Sequence, residues 1–334
     1  MEDAVEMGEL AGDHAGAAFT RGDDADSAPR PLRNGSRASP FATVAELPSR
    51  LWRLTQLYFG QSGMILRGRH THGRPCAAIS PPAGVEMLRL PTPCGRRVAA
   101  LFGPALSPEG QPLPDAPTRP TLLFFYGNGM YLNETVPLMQ HLRRIGANVL
   151  VPEYLGYGLS DGPADEKGCY ATADAAWQHL LQRNDIDRSL IVVGGVSLGG
   201  AVAIDLAARR REVAGCIALV TFTSIPDVAR HLHPDVPIHR LIRMKFDSLA
   251  KMPSVACPLL VGHSTADALV PAWMADRLAG AAPGPVTRLV IEGANHHAAE
   301  MLEVGGGVIF AAAQSFLEDL AERRGERRGG ESRL

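Results

Sequence analysis

The sequence predicts an α/β protein with a mostly parallel, doubly wound sheet. Three observations point there. Short apolar runs read as strands buried on both faces, and helical stretches with an apolar stripe alternate with them. One run, "SLIVV", passes through "GGVSLGG" at residues 194–200 into a further helical stretch. Repeated βα units of this kind fold as parallel strands joined by crossover helices.

In chain order, residues 1–40 are Gly, Ala, Asp, Arg and Ser with almost no periodic apolar residues, which predicts a disordered tail. The folded domain is expected over 41–323, opening with the apolar "LWRLTQLYFG". "VEMLRL" and "RRVAALFG" alternate as strands and are expected to pair as an antiparallel N-terminal edge. Six further strands follow: "TLLFFY", "ANVLVPEY", "SLIVVGG", "GCIALVT", "PLLVGH" and "VTRLVIE". Between them "VPLMQHLRRIG", "ATADAAWQHLLQR", "LGGAVAIDLAARR" and "AWMADRLAGA" carry apolar residues at helical spacing. Residues 222–255 break the rhythm with prolines, histidines and arginines, so a short lid insertion is expected there, above the carboxyl ends of the strands. The amphipathic "VIFAAAQSFLEDLAE" is the last predicted helix, and 324–334 reads as a charged tail.

Composition excludes several function classes. Lys and Arg number 33 against 35 acidic residues, and a net charge of −2 offers no electrostatic case for nucleic acid. The five cysteines are odd in number and contain no C-x-x-C pair, which predicts neither a disulfide framework nor a zinc cluster. The acidic "MEDAVEMGELAGDHAG" lacks a secretory pattern and no apolar run could span a bilayer, so a cytoplasmic protein without integral membrane association is expected. Oligomeric state is left open.

The chemistry centres on Gly195-Val196-Ser197-Leu198-Gly199, which satisfies G-x-S-x-G after a strand and before a helix. A sharp turn there displays the Ser197 hydroxyl, and glycines let the backbone close around it. A hydroxyl becomes nucleophilic when an imidazole takes its proton and a carboxylate orients that imidazole. Asp267 follows strand "PLLVGH", and "GANHHAAE" follows strand "VTRLVIE", giving the order Ser, Asp, His. Spacing favours His296 over its neighbour His297, and Asp227 in the lid is the alternative acid. Leu198, next to the nucleophile, supplies one oxyanion N–H; Asn128 in "YGNGM", with Gly129 and Met130 beside it, supplies the other. Two histidine groups, His231/His233/His239 and His70/His72 with Cys76, lack the context of a metal site, so neither metal nor cofactor is expected.

These residues resemble the α/β-hydrolase superfamily over about residues 85–320. "EYLGYGLSDG", "GVSLGGAVAIDLA", "TFTSIPDVA" and "GANH" are similar to its small-lidded, serine aminopeptidase-like branch, which includes lipid and thioester hydrolases. The resemblance implies Ser197, Asp267 and His296 as a triad, with Asn128 and Leu198 as oxyanion hole. Tyr126 stands where these relatives usually carry histidine. The expectation is a serine hydrolase for an ester, thioester or amide, acting on a small-molecule or acyl substrate. The alternative is a non-catalytic or slow-turnover binding protein on the same fold. Leu241, Ile242, Met244 and Phe246 among Arg230, Arg240 and Arg243 either greet an acyl chain with a polar head or simply pack the lid.

Overall fold

A computed structural model describes residues 61–331; the tail over 1–40 and "LWRLTQLYFG" lie outside the described residues. Eight strands form one sheet: β1 (Glu86–Pro91), β2 (Arg97–Gly103), β3 (Thr121–Phe125), β4 (Asn148–Pro152), β5 (Ile191–Val196), β6 (Gly215–Leu219), β7 (Leu259–Ser264) and β8 (Val286–Ile291). Their spatial order is β1-β2-β4-β3-β5-β6-β7-β8. β1 pairs antiparallel with β2, and β2 antiparallel with β4, while β4, β3, β5, β6, β7 and β8 run parallel. This is the predicted mostly parallel sheet with its antiparallel edge.

The reason is visible in burial. Every residue of β3, β4 and β6 is buried, as helices on both faces require, whereas edge strand β8 alternates toward solvent. Helices α1 (Val136–Arg144), α2 (Glu166–Gln182), α3 (Leu198–Arg209), α4 (Ile225–Leu232), α5 (Ala272–Ala281) and α6 (Ala298–Glu331) link and cover these strands. Against α1 and α6, alternate strand residues Leu122, Phe124 and Ile217 line one face of the sheet. His141 of α1 stacks on Phe310 of α6 at 5.1 Å between ring centroids, so the two helices meet over that face.

α6 begins ten residues before its amphipathic signal at Val308. Gly305, Gly306 and Gly307 hide the start, since glycine is a poor helix former. Gly305 has a packing reason: a Cβ there would overlap the Ile291 side chain of β8.

The predicted lid joins β6 to β7. It carries α4, a 3-10 turn at Pro237–Arg240 and a helical turn at Ser248–Lys251. Three polar anchors hold it. Glu166 at the start of α2 accepts the Lys245 and Phe246 N–H groups at 2.7 and 2.9 Å. Lys251 pairs at 2.8 Å with Asp205, a buried residue of α3 that also pairs with Arg209. Gln61 donates to the Leu241 carbonyl and accepts from the Arg243 N–H, both at 2.7 Å. Met244 and Phe246 are buried in the core, while Leu241 and Ile242 line the site pocket, so the lid's apolar residues divide between packing and pocket.

Candidate active site

Ser197 sits between the end of β5 and the first residue of α3, with φ 54° and ψ −115°. L-residues rarely adopt this conformation, and it stores strain of about 1–3 kcal/mol. The surrounding packing holds it. A Cβ on Gly199 would overlap the Phe125 carbonyl, and one on Gly195 would overlap Gly199 itself. The glycines of "GGVSLGG" therefore let β5, α3 and the end of β3 approach more closely than any side chain permits. From β6, the Leu219 carbonyl accepts the Ser197 N–H at 2.9 Å, and the Thr221 hydroxyl donates to that same carbonyl at 3.0 Å.

The loops after β7 and β8 bring the other two groups to this turn. The Ser197 hydroxyl lies 2.9 Å from His296 Nε2, and His296 Nδ1 lies 2.6 Å from Asp267 Oδ2. The carboxylate can only accept, so Nδ1 carries the proton and Nε2 is left open to receive one from Ser197. Asp267 is buried, and its other oxygen accepts the Leu269 and Val270 N–H groups at 2.9 and 2.8 Å. Both oxygens are thus engaged and the carboxylate cannot rotate. Ser264, at the end of β7, donates to the Ile291 carbonyl at 3.0 Å and to the Ala294 carbonyl, fastening the histidine loop to the aspartate loop.

The competing candidates stand elsewhere. His297 is exposed, its N–H bonded to the Asn295 side chain at 2.7 Å. Asp227 lies in the first turn of α4, accepting the Thr223 hydroxyl at 2.8 Å and pairing with Arg230 at 2.6 Å. Although burial opposes it, hydrogen bonds from Thr223, Ser224 and Arg230 hold its carboxyl below the ordinary range. Of the two histidine groups, His231 donates to the Ala268 carbonyl and His70 to the Arg67 carbonyl. Among the described residues, no group of three His, Cys, Asp or Glu is placed to hold a metal ion.

Asn128, in the loop after β3, lines the same cavity as Ser197. Its side-chain oxygen accepts the Arg67 N–H at 2.7 Å and the Tyr157 hydroxyl at 3.4 Å, so the amide side chain braces the loop. Leu198 is the first residue of α3, where an N–H has no acceptor inside the helix. Tyr126 is fully buried and packs edge-on against Tyr154, ring centroids 4.8 Å apart. Tyr154 donates its hydroxyl to the Tyr126 carbonyl at 2.8 Å, which fixes the backbone entering the loop.

Sequence reasoning missed Glu153. It is 1% exposed, and its carboxylate accepts the Leu132 N–H at 2.9 Å and the Leu159 N–H at 2.6 Å, tying two loops behind Asn128 together. Burial raises its pKa against the opposing pull of those bonds. A lone glutamate at the end of an apolar strand was the available signal. Gln61 and Arg67, which reach the site from before β1, carried none.

Ser197 and His296 open into a cavity of about 550 Å³, lined also by Gln61, Asn128 and His297 and by apolar residues between β6 and β7 including Phe222, Val228 and Leu232, while Asp267 stays buried behind the imidazole. That size suits a small molecule.

A family model described as "alpha/beta hydrolase fold" matches residues 120–238. An uncharacterized protein of Mycobacterium tuberculosis is 31% identical over 265 residues, covering 79% of this chain and 87% of that protein. Human alpha/beta hydrolase domain-containing protein 17C is 32% identical over 185 residues, 55% of each chain. Among solved structures, a puromycin-hydrolyzing peptidase of M. tuberculosis superposes with a TM-score of 0.59 at 19% identity, covering 71% of this chain and 40% of that one. No helix among the described residues is long and apolar enough to cross a membrane.

Proposed function

The chain belongs to the α/β-hydrolase fold family, and from that premise we propose that it is a serine hydrolase cleaving an ester, thioester or amide through an acyl-enzyme on Ser197. One observation carries the reading: a hydroxyl, an imidazole and a buried carboxylate in hydrogen-bonded sequence at 2.9 and 2.6 Å.

Ser197 Oγ attacks the substrate carbonyl carbon as its proton passes to His296 Nε2, and Asp267 stabilises the imidazolium. The negative charge that develops on the carbonyl oxygen is met by the N–H groups of Leu198 and Asn128, each such donor accounting for about 10²–10³ in rate. Collapse of the intermediate breaks the bond to the leaving oxygen, sulfur or nitrogen, which takes the proton from Nε2. Water, giving a proton to His296 Nε2, then attacks the acyl carbon; the bond to Ser197 Oγ breaks, Oγ takes that proton back, and the acid is released. The strained turn at Ser197 keeps the hydroxyl proud of the sheet edge, and the lid shields it from bulk water. Peptidase chemistry in a structural neighbour and hydrolase-domain relatives support the same reaction class.

Reaction with a fluorophosphonate probe tests this. The native protein is expected to be labelled and Ser197→Ala not. An unlabelled native protein would instead favour a non-catalytic binding role.

A further inference from the structure

A second cavity, of about 100 Å³, lies between the sheet and helices α1 and α6. Its walls are apolar, with Leu122, Leu138, Ile217, Ile309 and Phe310 among them, and its one charged neighbour, Glu134, is exposed. The triad residues do not line it. It nonetheless backs directly onto the site cavity, because Gly127, Met130 and Val196 line both. The partition is thin where it matters: Gly127 has no side chain, and half-buried Met130 has a flexible thioether that can swing aside. Val196 precedes Ser197 and a Cβ on Gly127 would lie 3.8 Å from that of Ser197, so the partition stands beside the nucleophile.

We infer that the inner cavity is the acyl-chain pocket of the enzyme, entered past Gly127, Met130 and Val196, and that it selects medium-length aliphatic acyl groups. The inference rests on the serine hydrolase reading above and adds the substrate's acyl class. Reaction geometry assigns the two cavities. The leaving group takes its proton from His296 Nε2, so it lies on the histidine side, in the larger cavity that His296 and His297 border. The acyl group must then point away from His296, toward the shared residues. A cavity of about 150 Å³ holds benzene, so 100 Å³ accommodates about four carbons. With the carbonyl carbon and the two or three carbons that cross the partition, the best acyl group has about seven or eight carbons. Each methylene buried in such a pocket favours binding by about 0.8 kcal/mol, close to fourfold.

The test is hydrolysis of p-nitrophenyl acetate, butyrate, hexanoate, octanoate and palmitate by the full chain and two variants, with fluorophosphonate labelling in parallel. In the native protein kcat/KM is expected to rise from acetate to hexanoate or octanoate and to fall at palmitate. Leu138→Trp, which fills the cavity, is expected to lower octanoate turnover at least tenfold while acetate stays within about twofold. Phe310→Ala, which enlarges it, is expected to move the optimum to longer chains and keeps the question answerable if the tryptophan variant does not fold. A native profile flat with chain length, or variants that change acetate and octanoate in equal proportion, would overturn the acyl pocket while labelling of Ser197 left the hydrolase reading intact. Failure of labelling would remove both.

Discussion

Asp267→Asn is the most demanding perturbation of the site, because the surrounding peptide groups dictate which way the amide must face. In the native protein Oδ1 accepts two N–H groups, from Leu269 and Val270, and Oδ2 accepts the proton of His296 Nδ1. An asparagine that keeps its oxygen toward the two N–H groups turns its NH₂ toward Nδ1. The imidazole must then present a lone pair there and carry its proton on Nε2, where it cannot accept one from Ser197. Flipping the amide restores the tautomer but leaves two N–H groups facing a donor, at about 1–3 kcal/mol each. Even at the low end, about 2 kcal/mol confines the active orientation to roughly 3% of molecules. The expected loss in kcat is therefore at least about 30-fold, approaching the ~10⁴, or about 5.4 kcal/mol, of a site locked in the wrong tautomer. Both peptide contacts survive, so the melting temperature should move by no more than about 2–4 °C. Steady-state hydrolysis of p-nitrophenyl hexanoate and circular-dichroism melts read the two quantities. Asp227→Asn is the control, because its carboxylate serves Thr223 and Arg230. A kcat for Asp267→Asn within tenfold of native, or a collapse in the Asp227 variant instead, would refute the reasoning.

Two further outcomes follow from strain and burial. Ser197→Gly should abolish activity yet raise stability over Ser197→Ala by about 1–3 kcal/mol, because glycine adopts the φ 54° turn without strain; coincident denaturant curves for the two variants would contradict this. Glu153→Gln should change stability in a pH-dependent way. Burial raises the Glu153 pKa in the folded state, so the cost of its charge is absent below the unfolded value of about 4.3 and complete above the folded one. The melting temperature of the variant minus that of the native protein should accordingly climb as pH rises through that window and then level; a constant difference from about pH 4 to 8 would rule it out.

How much of this was legible beforehand varied with the range of the interaction. The strands of the sheet showed as apolar runs, because a strand covered on both faces can carry little else. Ser197 was legible because the turn holding it needs glycine at fixed offsets. The start of α6 was not, since three consecutive glycines argue locally against a helix and only contact with Ile291 explains Gly305. Glu153 and Gln61 escaped because each meets a peptide group outside its own segment, Leu132 for Glu153 and, about 180 residues away, Leu241 and Arg243 for Gln61. The insertion between β6 and β7 was recognisable as an interruption, yet which of its apolar residues pack the core and which face the pocket depended on the anchors at Glu166 and Asp205.

By itself, the sequence determined the fold class, the order of strands and helices along the chain, and which serine stands at a strand-to-helix turn, since these follow from local spacing and backbone sterics. Only the tertiary structure decided that His296 and not His297 meets Ser197, that Asp267 and not Asp227 meets His296, and that an apolar cavity lies behind Gly127 and Met130. The physical reason is that such outcomes depend on distances of a few ångströms between groups tens of residues apart, and those distances exist only once the sheet has assembled and its loops are tied to one another.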